Sequence, residues 1–409
     1  MRLEQVPSIE TQIIPPLSED IPTSETARGR RNRLRRTAAK LLGEEHRTAK
    51  CGHAPCGPQV TVHQKSNGRC GYRGVYTCCS IWACPECASK ISARRSTEVG
   101  ELIKAHSKAG QSSYMATLTM RHGLGDNCEH LRKTVAWAWD QLLRSGAMRR
   151  LRDQYNIIGY IRSMEVTHGQ NGWHPHIHVL FMARNFSSAE LTAVADSIFD
   201  RWKKVLKRKG YEACRLGFDF QRAKNADVAA QYVAKWGAGT EIAKGSEKLG
   251  KAGRSPWQLL DDCGHGDKWA GNLFVEYVKA FHGARHLTYA RGIRELYGLR
   301  GPVADEQLEL DDDLPEYDEG GEVYRFQHGL WWRLVREKLT IQVLEAGEAG
   351  GTKAIDQLLD RHGIAPSQNK PPPHNVYRTP KTARGVKVLN NGGIKLEMRH
   401  IANEYRRSK

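Results

Sequence analysis

Between residues 114 and 221 the hydrophobic and polar positions switch repeatedly between two periods. Alternation at every second residue is typical of strands, and apolar repeats at three to four residues are typical of helices. The pattern predicts strands at 114–121, 156–167, 174–182 and 215–221, and helices at 128–151 and 187–205. Their order is β-α-β-β-α-β, the split-βαβ or ferredoxin-like arrangement, in which one antiparallel sheet carries both helices on one face. The predicted fold class is therefore α+β, and the other face of the sheet is open for a site.

The third strand carries the first candidate chemistry. A strand projects alternate side chains from one face, so His176 and His178 share a face. Two imidazoles about 7 Å apart along a strand can close on one metal ion. Residues 169–172 (Gly-Gln-Asn-Gly) form a hairpin turn, and a turn centred between Gln170 and Gly172 puts Glu165 opposite one of the histidines. These three predicted ligands suit Mn²⁺ or Mg²⁺, although Zn²⁺ would also accept them and a strand of solvent-facing histidines is the ordinary alternative.

Seven of the ten cysteines lie within residues 51–87, which indicates a metal site in a reducing compartment more than a disulfide framework. The pair Cys84 and Cys87 forms a C-x-x-C turn that places two thiolates on one tetrahedral ion. The other candidate ligands are Cys78 and then Cys51 or Cys56, with His53 or Cys70 as substitutes. We expect structural zinc here, followed by a basic helix to about residue 108.

Charge points to the class of partner. Lys and Arg exceed Asp and Glu by 63 to 45 in 409 residues, a net charge of +18, which favours a polyanion such as nucleic acid. A basic arm near the N-terminus is expected to contact phosphates, and the alternative is a solvated helix start. The arginines of this arm are Arg28, Arg30, Arg31, Arg33, Arg35 and Arg36. No apolar run is long enough for a transmembrane helix, and the polar N-terminus lacks a signal peptide. We therefore expect no membrane partner.

A second chemical stretch covers residues 227–236, whose alanine content and spacing predict a helix. Tyr232 and Lys235 then lie on one surface with Trp236. A tyrosine beside a cation can act as a nucleophile, because its phenol has a pKa of about 10 and needs help to ionise. This segment alone is better interpreted as a helix with a tyrosine at the edge of the core. Only the histidine strand upstream favours the nucleophile instead.

Together these stretches resemble the HUH endonucleases, specifically the rolling-circle replication initiators of Gram-positive and actinobacterial plasmids. The matching motifs are 117–121 (Thr-Leu-Thr-Met-Arg), 174–178 (His-Pro-His-Ile-His) and 232–235 (Tyr-Val-Ala-Lys), in the family's order. The cysteine stretch that begins at Cys78, and the segments 254–260 and 276–292, are also similar. The resemblance covers about residues 51–300.

The resemblance implies a mechanism. His176, His178 and Glu165 would hold a divalent metal that polarises a phosphate of single-stranded or extruded origin DNA. Tyr232 would attack it, with Lys235 steadying the charge, and leave a 3′-hydroxyl and a 5′-phosphotyrosyl link. The resemblance also implies that Arg121 contacts DNA and that the same centre later rejoins the strand. It implies a bacterial cytoplasmic location, a host helicase and DNA polymerase as partners, and a possible oligomer.

One departure from some relatives concerns termination. Trp236 stands where those relatives carry a second tyrosine, so the final cleavage would need a carboxylate such as Asp227 or Glu241, or another subunit. Some relatives also carry a glutamate near the position of Tyr232. Tyr211 and Tyr277 are then the substitute nucleophiles.

The predicted organisation has six parts. These are a disordered basic arm (1–48), a zinc-binding region with its basic helix (49–110), the HUH endonuclease domain (111–300), an acidic linker (301–325), a small helical module (326–366) and a basic flexible tail (367–409). The alternatives are a transposase or relaxase of the same fold, a nuclease that uses activated water, and a non-enzymatic, zinc-containing DNA-binding regulator.

Overall fold

The computed structural model describes residues 25–223, 253–299 and 321–364. Its helices and strands, in chain order, are α1 (Ala27–Leu42), β1 (Val60–Gln64), β2 (Cys70–Arg73), α2 (Pro85–Lys108), β3 (Ser112–Leu118), α3 (Cys128–Leu143), α4 (Gly146–Tyr155), β4 (Gly159–Gly169), β5 (Gly172–Ala183), α5 (Ser188–Lys207), β6 (Phe218–Arg222), α6 (Pro256–Gly264), α7 (Lys268–Phe281), β7 (Leu287–Tyr289), α8 (Ile293–Leu296), β8 (Glu322–Phe326), α9 (His328–Arg336) and α10 (Thr340–Arg361).

Five strands form the larger sheet, in the order β6-β3-β5-β4-β7, and every neighbouring pair is antiparallel. The predicted α+β class is confirmed, and from β3 to β6 the chain forms a strand, two helices, two strands, a helix and a strand. Two boundaries differ from the prediction. The helix predicted at 128–151 is two helices, because Ser145 caps the start of α4 by accepting a hydrogen bond from the Met148 amide. Residues 215–217 form a 3₁₀ turn, so that the last predicted strand begins only at Phe218.

One face of this sheet packs against α3 and α5. Ile177, Val179 and Phe181 project from alternate positions of β5 and are fully or almost fully buried. They share a core with Trp139 of α3 and Trp202 of α5. Burial of each large apolar side chain contributes about 1.5–3 kcal/mol, so this alternation holds β5, and the histidines between these positions, in a fixed register.

The opposite face is partly covered, whereas the sequence predicted it to be open. Leu180 and Met182 of β5 pack against Val99 and Leu102 of α2. The hydrophobic side of α2 therefore covers one end of this face. The histidines precede Leu180 on the same face, towards the β4–β5 hairpin.

A smaller sheet joins the two ends of the described chain. Its order is β2-β1-β8, and Val62 of β1 shares a core with Phe326 and Trp331 from the C-terminal part. The helical segment predicted as a module of its own is therefore not independent, because α9 and α10 complete a core begun by residues 60–73. The predicted glycine-rich break appears as a kink at Gly350 and Gly351 inside α10.

The basic segment 27–42 is helix α1, which corrects the predicted disordered arm. Arg30 and Arg33 both form ion pairs with Asp261 of α6, and Leu34 is completely buried. Arg28 pairs with Glu348 of α10 at 2.6 Å. These carboxylates lie more than 200 residues away in sequence, so the local composition could not reveal them. Among the described helices, none is long and apolar enough to cross a membrane.

Candidate metal centres

The structure brings Glu165, His176 and His178 together, as the hairpin register predicted. Glu165 of β4 lies directly opposite His176 of β5. Its Oε2 atom is 3.1 Å from His176 Nε2 and 3.2 Å from His178 Nε2. One ligand atom from each residue falls within 4.8 Å of the others, so the three side chains could hold one metal ion. A two-imidazole, one-carboxylate set leaves further coordination positions for water or substrate oxygen.

Contacts behind the histidines fix which ring nitrogen faces the carboxylate. His176 Nδ1 lies 3.2 Å from the backbone oxygen of His174, to which it donates a hydrogen bond when Nδ1 is protonated. His178 Nδ1 lies 2.9 Å from Thr117 Oγ1 on β3. When Nδ1 donates to an oxygen, the Nε2 lone pair is free for a metal. Both Nε2 atoms point to the same carboxylate oxygen. When protonated they donate hydrogen bonds to it, and when unprotonated they can bind a cation together with it.

The electrostatics of the group suit a cation. Burial alone would raise the pKa of Glu165, but hydrogen bonds from His176 and His178 hold that pKa well below its usual range. Burial lowers the pKa of His178. For His176, burial acts in the same direction, but the hydrogen bond with Glu165 raises its pKa overall. An ionised carboxylate beside a neutral imidazole is the protonation state that binds a divalent ion.

His174 belongs to a neighbouring pair instead of this group. Its Nδ1 lies 2.7 Å from Nε2 of His122, whose Nδ1 in turn lies 2.9 Å from the backbone oxygen of Asn171. Burial, with the nearby His176 and His122, lowers the pKa of His174 to about 4. His122 was not among the predicted site residues, and its position directly after the first motif was the only signal for it in the sequence.

Four cysteines form a second candidate metal centre: Cys51, Cys78, Cys84 and Cys87, all buried. Cys51 Sγ is 3.6 Å from the sulfur atoms of Cys84 and Cys87, and the Cys78–Cys87 sulfur distance is 3.7 Å. In a tetrahedral site with metal–sulfur bonds of about 2.3 Å, the sulfur atoms lie about 3.8 Å apart. The observed spacings therefore match a tetrahedral thiolate site, and they are far longer than a disulfide bond.

Local structure explains this cluster. Cys84 caps the N-terminus of α2, where Pro85 begins the helix and Cys87 lies in its first turn. The partial positive charge of a helix N-terminus favours thiolates. Hydrogen bonds from the neighbouring thiols lower the pKa of Cys51, and the shared bond with Cys51 raises the pKa of Cys78. The four sulfurs cannot all ionise together unless a cation joins them.

The sequence left the fourth cysteine open, and the structure selects Cys51. Cys56, also among the predicted ligands, is exposed and outside the cluster, which corrects its assignment. The substitute Cys70 belongs to the core of the smaller sheet. His53 packs its ring edge-on against Trp332 instead.

The remaining predicted residues are distributed as follows. Tyr232 and Lys235 lie outside the described residues, as do Asp227, Trp236 and Glu241. Arg121 is exposed, with a 3.5 Å ion pair to Glu212. Tyr277, a substitute nucleophile, is only 3% exposed and belongs to the core of α7. Tyr211 is partly exposed.

These features define a class: an α+β protein whose antiparallel sheet carries a histidine–carboxylate group and which also contains a buried four-cysteine cluster. A family model described as Replication protein matches residues 75–333, and the chain belongs to this family. The predicted membership of a family of replication proteins is thereby confirmed.

Three named relatives are similar to this chain. Protein rep of Streptomyces lividans is 29% identical over 360 residues, which cover 71% of this chain and 79% of the relative. Protein rep of Streptococcus pneumoniae serotype 2 is 31% identical over 161 residues, or 37% and 48% of the two chains. Protein rep of Lentilactobacillus hilgardii is 24% identical over 274 residues, or 64% and 80%. No solved structure matches the chain.

Proposed function

We propose that this protein initiates rolling-circle replication of a plasmid by nicking one strand of its origin DNA, with a covalent tyrosine intermediate. The observation that carries the proposal is the convergence of Glu165, His176 and His178 on one point of an antiparallel sheet. The strand order β6-β3-β5-β4 supports a ferredoxin-like, HUH-type nuclease domain around it. Membership of the replication protein family supports origin DNA as the substrate.

The reaction begins at the scissile phosphate. Glu165, His176 and His178 would hold Mn²⁺ or Mg²⁺, which when bound draws negative charge off that phosphate. Tyr232 loses its phenolic proton to solvent water, and its oxygen forms a bond to phosphorus. The bond from phosphorus to O3′ breaks, and the departing O3′ takes a proton from solvent water to become a free 3′-hydroxyl. Lys235 steadies the negative charge at phosphorus during the exchange.

The products fit an initiator. The 3′-hydroxyl primes a host DNA polymerase while a host helicase opens the duplex, and the 5′-phosphate stays esterified to Tyr232. Because a phosphodiester is exchanged for another phosphoester, the same centre can rejoin the strand after one round. Trp236 supplies no second nucleophile, so termination falls to a carboxylate, Asp227 or Glu241, or to another subunit. The four-cysteine cluster holds structural zinc, and the exposed Arg121 contacts DNA.

A cleavage assay tests the proposal. Single-stranded oligonucleotides tiled across the replicon that carries the gene are incubated with protein and Mn²⁺, and denaturing gels detect protein-linked DNA. We expect an adduct that disappears with EDTA and in Tyr232→Phe but persists in Tyr211→Phe, the matched control. An adduct that survives Tyr232→Phe refutes this nucleophile. Cleavage without an adduct favours a hydrolytic nuclease, and DNA binding without cleavage favours a regulator. Cleavage at the ends of a mobile element instead of the plasmid origin would favour the transposase alternative.

A further inference from the structure

A large open cavity lies beside the larger sheet, and none of the candidate metal ligands is among the residues that line it. It has a volume of about 1030 Å³ and runs from the loop before α2, past the end of α7, to the segment that contains β7 and α8. This volume is at the upper end of the range for small-molecule sites, about 300–1,000 Å³. Two segments that the mechanism above does not use, 276–292 and the loop that contains Trp82, supply much of its wall.

The cavity is basic. Its lining includes five arginines against two glutamates: Arg47, Arg95, Arg285, Arg291 and Arg294 against Glu45 and Glu295. Arg95 and Arg294 are buried, and both contact Glu98 behind the wall. Arg47, Arg285 and Arg291 are exposed at the rim. The rim therefore presents cations to solvent, where they favour an anionic ligand.

An aromatic ring is held in the same wall. The indole nitrogen of Trp82 donates a 2.8 Å hydrogen bond to the backbone oxygen of Ala284. Its ring packs 4.7 Å from the ring of Phe281 and edge-on to His286 at 5.6 Å. Trp82 is still partly exposed to the cavity. A fixed aromatic surface among arginines can hold a nucleotide, because the ring stacks on the base while the cations pair with phosphates.

The cavity also has a defined position relative to the histidines. Leu287 of β7, in the cavity wall, pairs with Ser163 of β4, which pairs with His178 of β5. Neighbouring strands are about 4.8 Å apart, so the wall lies roughly 10 Å from the His178 backbone across the sheet. About three stacked nucleotides span such a distance. A DNA strand at the histidines can thus extend to this cavity.

We infer that this cavity binds a nucleotide of single-stranded DNA about three nucleotides from the nicked phosphate, through Arg285 and Arg291 on phosphates and Trp82 on a base. A single strand is required, because the bases of a duplex are stacked inside it and cannot reach a ring in a cavity wall. The inference rests on the proposed DNA substrate, and it adds a specific binding subsite to that proposal.

Fluorescence anisotropy with a labelled oligothymidylate of about 20 nucleotides, in EDTA over a range of salt concentrations, tests the inference. Arg285→Ala/Arg291→Ala should weaken binding about tenfold and reduce the slope of log affinity against log salt by about 1.4, at 0.7 for each lost phosphate contact on single strands. The matched control is Arg149→Ala/Arg150→Ala, which removes two exposed charges of α4 outside the cavity and should leave the slope unchanged.

A second variant tests the stacking partner. Trp82→Leu keeps an apolar side chain against Phe281 and should weaken binding about fivefold or more. The inference is overturned if the double variant Arg285→Ala/Arg291→Ala binds DNA with the affinity and salt slope of the unmodified protein. It is also overturned if the control variant Arg149→Ala/Arg150→Ala lowers affinity and slope by the same amounts. Displacement of the labelled strand by free ATP at equal nucleotide concentration would assign the cavity to a mononucleotide and overturn it too.

The two proposals fail separately. A protein that shows the expected salt slopes in EDTA but forms no adduct with Mn²⁺ loses the nicking mechanism and keeps the subsite. A protein that forms the adduct normally, but whose DNA binding the arginine variants leave unchanged, keeps the nicking mechanism and loses the subsite.

Discussion

The contact between Thr117 and His178 gives the sharpest test of the candidate catalytic centre. Thr117→Val keeps almost the same shape and removes the hydroxyl that lies 2.9 Å from His178 Nδ1. Valine cannot accept a hydrogen bond from that nitrogen. The imidazole then loses the contact that favours protonation at Nδ1, and a proton at Nε2 would occupy the position of the metal. We therefore expect weaker metal binding without a change of fold.

The size of the effect follows from the role of this contact. Loss of a hydrogen-bond partner behind a ligating histidine typically lowers metal affinity about 10- to 100-fold, or about 1.4–2.7 kcal/mol. The loss of one hydrogen bond between β3 and β5 should lower the free energy of unfolding by about 1 kcal/mol. Metal affinity should thus respond more strongly than stability. Saturating Mn²⁺ should restore most of the cleavage activity, because the hydroxyl does not touch the proposed substrate.

Calorimetric titration with Mn²⁺ measures the affinity, and circular dichroism during urea unfolding measures the stability. The matched control is Thr119→Val, because the Thr119 hydroxyl donates a 2.8 Å hydrogen bond to the Gly217 backbone oxygen instead. Thr119→Val should lose stability by a similar amount and keep its Mn²⁺ affinity. Equal Mn²⁺ affinities of Thr117→Val and the unmodified protein would refute the argument, as would an equal loss in both variants.

Three further outcomes are expected. Cys51→Ser should lose bound zinc, measured by elemental analysis, whereas Cys56→Ser should retain it; retention by both would exclude Cys51 as a ligand. Asp261→Ala should lower the free energy of unfolding in urea by about 3 kcal/mol, because it removes the largely buried carboxylate that pairs with both Arg30 and Arg33, and a loss below 1 kcal/mol would contradict this. Trp331→Ala should cost about 3–5 kcal/mol in the same measurement, and two separate unfolding transitions in the unmodified protein would argue against a core shared by both chain ends.

The candidate metal ligands were predictable because two local rules agree. A period of two puts His176 and His178 on one face, and a tight turn fixes the register of the strand before them. The observed turn pairs Gly169 with Gly172, and Gly172 has a φ of 81°, which glycine adopts without strain. Glu165 then has to lie opposite His176. Short-range geometry sufficed, since all the ligands lie within one hairpin.

The choice between Cys51 and Cys56 could not be made in this way. Both precede Cys84 by about thirty residues of loop and short strand, and no periodicity relates them to α2. The 3₁₀ turn of residues 47–50 and the hydrogen bond from the Cys78 amide to Cys51 Sγ, at 3.4 Å, bring Cys51 into the cluster. The prediction of a disordered basic arm at α1 was wrong for a related reason. Spacing along the chain does not show that Asp261 will neutralise Arg30 and Arg33.

The loop around Cys51 also explains why distant parts of the chain depend on one another. Arg35 of α1 donates a hydrogen bond to the backbone oxygen of Cys51, and Trp331 of α9 donates one to that of His53, at 2.6 Å. The N-terminal helix and the C-terminal helices thus contact the same few residues that complete the cysteine cluster at the start of α2. Since α2 covers part of the sheet face that carries the histidines, these contacts connect both chain ends to the candidate catalytic sheet. The family match begins at residue 75, after Cys51, so this connection is a property of the folded chain that the matched segment alone does not contain.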